Sequence, residues 1–461
     1  VRPFYTVSAP AIKIAYLGGG SRYWARDLFT ELALTPHLTG HIDLYDLDLA
    51  AARRNVAVAT ALFDRPEART RFTVRAVPRL AEALRDADFV VLSIEPGPIE
   101  LRHADLQIPA RHGVLQPVGD TTGPGGLLRA LRTVPIYEKF AWEIATHCPR
   151  AWVINLTNPL TLCTAALHAA APGLRAFGCC HEVFHTQTRL VHFVARWFDV
   201  PAPPRREIRL DLAGLNHFTW ATAARWRGHE LLPRLRTEIV RPGFFRSRAA
   251  TARTARRESR WFDSSGLVAY DLFRRFGALG AAGDRHLAEF VPWYAPDEAT
   301  LHRWGVVATP YAWRRRRARR PDVPPATFAA RPLRAGDEEV VRMIEALVGG
   351  EPIDTNVNLP NVGQVAGLPE GHIVETNAQF RHGALTPLVA GPLPPGALAL
   401  VRRAADVQAL TLRAARARDC DLAFQALLAD PLTRLPTDAA WRMFKAMLAA
   451  ARPLLPGWRL P

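Results

Sequence analysis

The chain has 461 residues, 49% hydrophobic and 22% charged, with 59 basic against 43 acidic side chains and a formal charge of +16. That length and apolar share exclude a disordered chain and lead to the expectation of two domains with large cores. No apolar run reaches the ~18 residues of a membrane span, residues 1–11 lack the apolar centre of a secretion signal, and five cysteines make no disulfide framework, so a reduced, cytoplasmic protein is expected.

In chain order, residues 12–17 read as a buried strand, 25–34 as an amphipathic helix, 41–45 as a second strand and 49–63 as a helix. A third strand follows at 72–76 and a short helix at 79–86. The continuous apolar run 89–94 is of the parallel-sheet type. Then come a long helix at 127–147, a strand at 152–156, a helix at 160–169 and a strand at 175–178. This alternation predicts a doubly wound parallel sheet through about residue 200. Pro201-Ala202-Pro203-Pro204 marks a junction. Beyond it, 209–215 and 219–226 read as strands, and 249–260, 336–349 and 396–430 as helical. The predicted class is α/β, with a Rossmann-like domain over 1–200 and an α+β domain over 201–461. The run Arg314-Arg315-Arg316-Arg317 reads as a solvated loop; no nucleic-acid motif accompanies it.

Gly18, Gly20 and Ser21 form a turn between the first strand and helix. There, backbone N–H groups and the helix dipole suit a pyrophosphate. Asp46 ends the second strand, where a carboxylate accepts both ribose hydroxyls and repels a 2′-phosphate; the pattern points to NAD. The third glycine of the usual fingerprint is replaced by Tyr23, so an ordinary tight βα turn is the competing reading.

Cys180 and His217 lie at predicted strand ends, 37 positions apart, which is no zinc-finger spacing. A thiolate and an imidazole hold a divalent cation with positions left open for substrate oxygens. On spacing alone, a buried cysteine and a core histidine are the commoner explanation.

Several motifs occur in one order. They are Gly18–Ser21, Asp46-Leu47-Asp48, the Gly119-Asp120-Thr121-Thr122-Gly123-Pro124-Gly125-Gly126 block and the Asn155–Pro159 strand end. Gly178-Cys179-Cys180-His181-Glu182-Val183, Gly214–His217, Gly283-Asp284-Arg285-His286-Leu287-Ala288-Glu289, and Asn356–Gly363 with Glu375 follow. The succession resembles glycoside hydrolase family 4, the NAD- and metal-dependent glycosidases that depart from the two-carboxylate mechanism. The tetrad Cys180-His181-Glu182-Val183 is similar to that of its α-galacturonidase subgroup; His181 after the cysteine implies an unphosphorylated sugar.

The resemblance implies a cycle of oxidation at C3 by NAD, loss of the C2 proton and of the glycosidic oxygen, water addition at C1, and reduction at C3. It implies Mn2+ held by Cys180 and His217, although thiolate chemistry alone admits other divalent metals. Asp120 matches the acid at the leaving oxygen, a role that asks for a raised pKa. Its competing reading is a turn residue. Asp284 matches the C2 base, with Tyr270 as the fallback. Asn158, His181 and Glu182 match substrate contacts, and Arg285 is a candidate partner for a sugar carboxylate. The expected partners are small galacturonides and pectin-derived oligosaccharides, not nucleic acid or membrane, with a homo-oligomer, dimer or tetramer, as the assembly. Within the family, α-glucuronides, α-galactosides and α-glucosides are the alternative substrates. An NAD-dependent 2-hydroxyacid dehydrogenase is the alternative class.

Overall fold

The computed structural model describes residues 11–248, 264–334, 336 and 338–461; the helix expected at 249–260 lies outside them. Among the described residues, thirteen strands form one sheet. They are β1 (Ala11–Leu17), β2 (Thr39–Tyr45), β3 (Phe72–Val77), β4 (Phe89–Leu92), β5 (Trp152–Asn155), β6 (Arg175–Gly178), β7 (Arg209–Leu215), β8 (Phe218–Trp226), β9 (His229–Glu230), β10 (Leu279–Gly280), β11 (Ile353–Pro360), β12 (Ile373–Arg381) and β13 (Ala384–Pro387). Six are parallel, in the order β6-β5-β4-β1-β2-β3. This is the doubly wound order of dinucleotide-binding folds, whose ligand crevice opens beyond the carboxyl ends of the strands, where the order reverses. Here that point lies between β1 and β4.

The parallel half forms because its strands bury both faces. In β1 and β4, Ala15, Leu17, Val90 and Leu92 enter one core with helix Gly123–His147. Ile14, Tyr16, Phe89 and Val91 enter another with helix Trp24–Ala33. Alternate residues are thus equally apolar, which is why the sequence runs continuously hydrophobic there. The sheet continues past β6 by antiparallel pairing with β11, then β12, β7, β8 and β10. A third core lies under these strands, built around Phe218, Trp220, Tyr270 and Phe290.

The expected elements of the first 200 residues are present within a few positions. Helices Ile99–Arg111 and Glu182–Phe198 were not expected, nor were strands β11 and β12. The stretch 396–430 is two helices, Pro395–Ala417 and Cys420–Ala429, separated at Arg418, which adopts a left-handed φ of 55°. The arginine run is no solvated loop. It lies in helix Tyr311–Arg319, which packs against helix Ile99–Arg111. No described helix is long and apolar enough to cross a membrane.

One buried carboxyl in the parallel half makes stability depend on pH. Burial, then the carboxylates of Glu338 and Asp27, push Glu31 up to about 8 from an ordinary 4.5. Between those values the folded chain keeps a proton that the unfolded chain has released. Stability therefore falls as pH rises from about 4.5 to about 8 and levels off above. Glu31→Gln is expected to flatten that slope in thermal melts across pH 5–8, with its largest gain at pH 8. Parallel slopes for variant and wild type would show that Glu31 ionises normally.

Candidate functional site

The Gly18–Ser21 turn sits at the carboxyl end of β1. Gly18 and Gly19 donate their N–H groups to Tyr45 O at 2.9 and 3.0 Å, and Gly20 N donates to Asp46 Oδ2 at 2.8 Å. Asn55 Nδ2 clamps the turn from below, donating to Gly19 O and Ser21 O at 2.7 and 2.8 Å, and Arg26 Nε fixes Asn55 Oδ1 at 2.8 Å. Asp46 is half-buried at the strand end, its other oxygen accepting Asp48 N at 2.9 Å. Sequence reasoning missed Asn55 and Arg26, which hold the loop's shape.

Cys180 follows β6, and His217 occupies the two-residue turn between β7 and β8. His217 has a φ of +65°, a conformation that costs most residues of order 1 kcal/mol and that collects at functional sites. The turn aims its ring inward. Cys180 Sγ lies 3.4 Å from His217 Nε2, while Thr121 Oγ1 is 2.8 Å from Nδ1 and donates to Asp120 Oδ1 at 2.9 Å. The His286 ring lies against that of His217, tilted by 32° with centroids 3.7 Å apart. Asp120, His217 and His286 each bring one donor atom within 4.8 Å of the others.

Burial, then His286, depresses His217 to about 3, so its imidazole is neutral and can offer a lone pair. Burial pushes the Cys180 thiol up, and the carboxylates of Glu375 and Glu182 push it further. A cation arriving there replaces the thiol proton, so affinity rises with pH. The cluster of donor atoms is Asp120, His217 and His286, a neutral imidazole and an ionised carboxylate that suit a divalent cation, while the Cys180 thiol meets His217 alone, at 3.4 Å. Asp120 and His286 extend the two-residue donor set read from the sequence; His286 was visible there only inside the Gly283–Glu289 motif.

Asp120 departs from expectation in its proton affinity. Burial raises it, but His286, then Arg102 and Arg129, outweigh burial and hold the carboxyl well below its usual range. The segment carrying it is fixed by Glu289, whose Oε1 accepts Val118 N at 2.6 Å and Gly119 N at 2.9 Å. Burial pushes Glu289 up to about 8, so at neutral pH it holds these amides as a neutral acid.

The two base candidates lie near one another, Asp284 acting on Tyr270 through its charge. Asp284 accepts Ala269 N at 3.1 Å and Ser265 Oγ at 3.4 Å, at the start of helix Leu267–Phe276. Its carboxyl is raised by burial against the pull of Arg189. The Tyr270 hydroxyl is buried without a hydrogen-bond partner among the described residues, and burial raises its pKa. Glu182 links the segment before Asp284 to the histidines. Its Oε2 accepts Gly283 N at 2.7 Å and its Oε1 is 3.7 Å from His286 Nε2. Burial raises Glu182, but the surrounding histidines, His286 first, hold it ionised.

The other predicted residues sit around this centre. Asn158 precedes a cis peptide bond to Pro159, and its carbonyl accepts Arg129 Nε at 2.8 Å. His181 Nδ1 pairs with Glu338 Oε1 at 2.6 Å. Arg285 donates to Pro117 O at 2.8 Å and to Thr309 Oγ1 at 2.9 Å. Glu375, from β12, braces the cysteine: Asn356 Nδ2 donates to Glu375 Oε1 at 2.9 Å and to Cys180 O at 3.0 Å.

The family model described as family 4 glycosyl hydrolase matches residues 13–195, and that of the family 4 C-terminal domain matches residues 212–433. This chain belongs to glycosyl hydrolase family 4. It is 41% identical over 464 residues to an α-galacturonidase of Thermoanaerobacterium saccharolyticum, covering 97% of each chain. A crystal structure of a Bacillus subtilis protein named as a candidate glucosidase superimposes with a TM-score of 0.84 at 40% identity, over 95% of this chain and 100% of that one. The 6-phospho-β-glucosidase of Thermotoga maritima, solved with manganese, NAD+ and glucose-6-phosphate, shares the fold with a TM-score of 0.75 at 20% identity, over 96% and 99%. As a family member the chain is a glycoside hydrolase, and its parallel sheet is the Rossmann-like one the sequence predicts.

Proposed function

We propose that this enzyme hydrolyses α-galacturonides, with NAD and a divalent cation, Mn2+ by family resemblance, as cofactors. The observation that carries the reading is near-full-length similarity to an α-galacturonidase in a chain whose own His217 touches Cys180 and clusters with Asp120 and His286. When bound, the cofactors supply reversible hydride acceptance and Lewis-acid polarisation of sugar oxygens.

The chain's own residues would do the rest. The Gly18–Ser21 turn, whose Gly18, Gly20 and Ser21 N–H groups are held within the turn and its strand ends, would lie against the pyrophosphate, and Asp46 would accept ribose hydroxyls. Cys180 and His217 would hold the cation, with Thr121 orienting the His217 ring through Nδ1. Asp284, or Tyr270 beside it, would take the C2 proton; Asp284's raised proton affinity favours a group that accepts one. Asp120 is assigned to the leaving oxygen by resemblance. The charges of His286 and then of Arg102, 3.4 Å away, must be offset before Asp120 can hold a proton. Asn158, His181 and Glu182 would line the sugar. A division near residue 200 is supported by the change from parallel to antiparallel pairing at β6. A homo-oligomer in the cytoplasm and pectin-derived oligosaccharides as substrates complete the reading.

The test is a panel of p-nitrophenyl α-glycosides, with and without NAD+, Mn2+ and a thiol reductant. Galacturonide hydrolysis is expected without net NADH formation. Efficiency on the α-galactoside should be at least ~100-fold lower, because a site built for a polar group rejects the analogue that leaves its partners unpaired. Equal rates on both sugars would refute the substrate. Full turnover after chelation and NAD+ removal would refute the cofactors.

A further inference from the structure

Helix Tyr311–Arg319 is anchored at both ends over the site. At its start, the Tyr311 ring stacks on His103 with centroids 3.7 Å apart. At its end, Arg317 Nε donates to Tyr23 Oη at 2.8 Å, with the guanidinium 4.4 Å over the Tyr23 ring, and Arg22 donates to Arg320 O at 2.6 Å. Residues 311, 314 and 317 follow one another at i, i+3 spacing and share a helix face. Arg314 is therefore on the docked side, between helix Ile99–Arg111 and the nucleotide turn.

Arg314 makes no hydrogen bond or ion pair among the described residues, and its Nε is shielded from solvent. Arg102 is similarly underused. Its Nη atoms reach Glu95 and Asp120 only at 3.4 Å, and its Nε is buried without a partner. The other nearby cations are committed, Arg129 to Glu95 at 2.5 Å and Arg285 to Pro117 O and Thr309. Arg102, Arg129, Arg285 and Arg314 thus face three ionised carboxylates, Glu95, Asp120 and, beside Arg285, Glu182. Burial, then the repulsion of Arg102 and Arg285, lowers Arg314 to about 9, as expected of a cation awaiting an anion.

We propose that Arg314, together with Arg102, forms the subsite that receives the C6 carboxylate of the uronosyl ring. A guanidinium fork matches a carboxylate in two parallel hydrogen bonds, and C6 is where a galacturonide and a galactoside differ. The inference rests on the galacturonide reading. It moves the anion-binding role from Arg285, which braces the Pro117 and Thr309 segments, to a residue of the arginine run.

The experiment compares wild type, Arg314→Ala, Arg314→Gln, Arg314→Lys and Arg319→Ala. The readouts are the ratio of kcat/KM on p-nitrophenyl α-galacturonide to that on the α-galactoside, and the calorimetric Kd of D-galacturonate with NAD+ and Mn2+ present. Loss of a charge-assisted hydrogen bond predicts a fall of about 10- to 150-fold in the ratio for Arg314→Ala, with D-galacturonate binding weakened in parallel. Arg314→Lys should recover part of the ratio. Arg319→Ala, exposed on the same helix, should keep the wild-type value. Arg314→Gln, closer in volume, carries the measurement if the alanine variant does not fold. A preference that survives Arg314→Ala and Arg314→Gln, or a loss falling equally on both sugars with D-galacturonate affinity intact, overturns the subsite alone. A wild type without any preference overturns the galacturonide reading and the subsite with it.

Discussion

Cys180→Ser is expected to lower kcat/KM at least about a thousandfold while leaving NAD+ binding and the fold in place. The estimate follows from chemistry that oxygen cannot copy. Cation binding requires a deprotonated ligand, and a serine hydroxyl does not ionise under conditions that ionise a thiol. The two side chains differ by one atom, so His217 and Asn356 keep their positions. Losing a ligand from a cation that polarises reacting oxygens removes several kcal/mol of transition-state stabilisation, and ~1.4 kcal/mol is tenfold in rate. Cys179→Ser is the matched control. Cys179 is buried in the opposite core, among Phe177, Ile154 and Val357. Its hydroxyl would cost about 1–3 kcal/mol of stability for want of a partner, yet most activity should survive. The measurements are kcat/KM, Mn2+ retained per chain after gel filtration, and NAD+ affinity. Two variants with the same activity would mean that Cys180 is not the ligand.

The residues that were legible in the sequence are those whose role is set by local backbone. The parallel strands announce themselves because both faces are buried. Gly18–Ser21 and Asp46 lie at strand ends by the same pattern. β11 and β12 are harder to read, because Asn356, Asn358 and Glu375 place polar groups in the sheet to brace Cys180, interrupting the apolar signal. Arg314 is illegible for another reason. A run of like residues has no periodicity, and its inward aim is decided by His103 and Tyr23, both more than 200 positions away in sequence. Asp120 shows the limit of reasoning from burial alone. The direction of the burial effect is as expected, but cations from helices Ile99–Arg111, Gly123–His147 and Asp284–Phe290 reverse the outcome.

Gly18→Ala should have a comparably large effect, through geometry alone. Gly18 has a φ of +96°, a conformation open to few residues other than glycine. A Cβ there would lie 1.9 Å from Ser93 O and 2.8 Å from Ser93 C. Both are backbone atoms, so no side-chain rotation relieves the clash. Ser93 N is itself bonded to Leu17 O at 2.9 Å, and Gly18 N to Tyr45 O. The strain therefore forces β1 and β4 apart at the crevice where the strand order reverses. Backbone strain of about 1–3 kcal/mol and overpacking of similar size should lower the urea midpoint. NAD+ affinity should fall about 100-fold or more, since ~2.7 kcal/mol separates those binding constants. Gly173→Ala tests the same substitution where the Cβ meets nothing within 4 Å; it should match wild type in both measurements. Normal NAD+ binding by Gly18→Ala, followed by tryptophan fluorescence, would place the pyrophosphate away from this turn. Weak binding by a variant that still unfolds cooperatively would tie the loss to the crevice between β1 and β4.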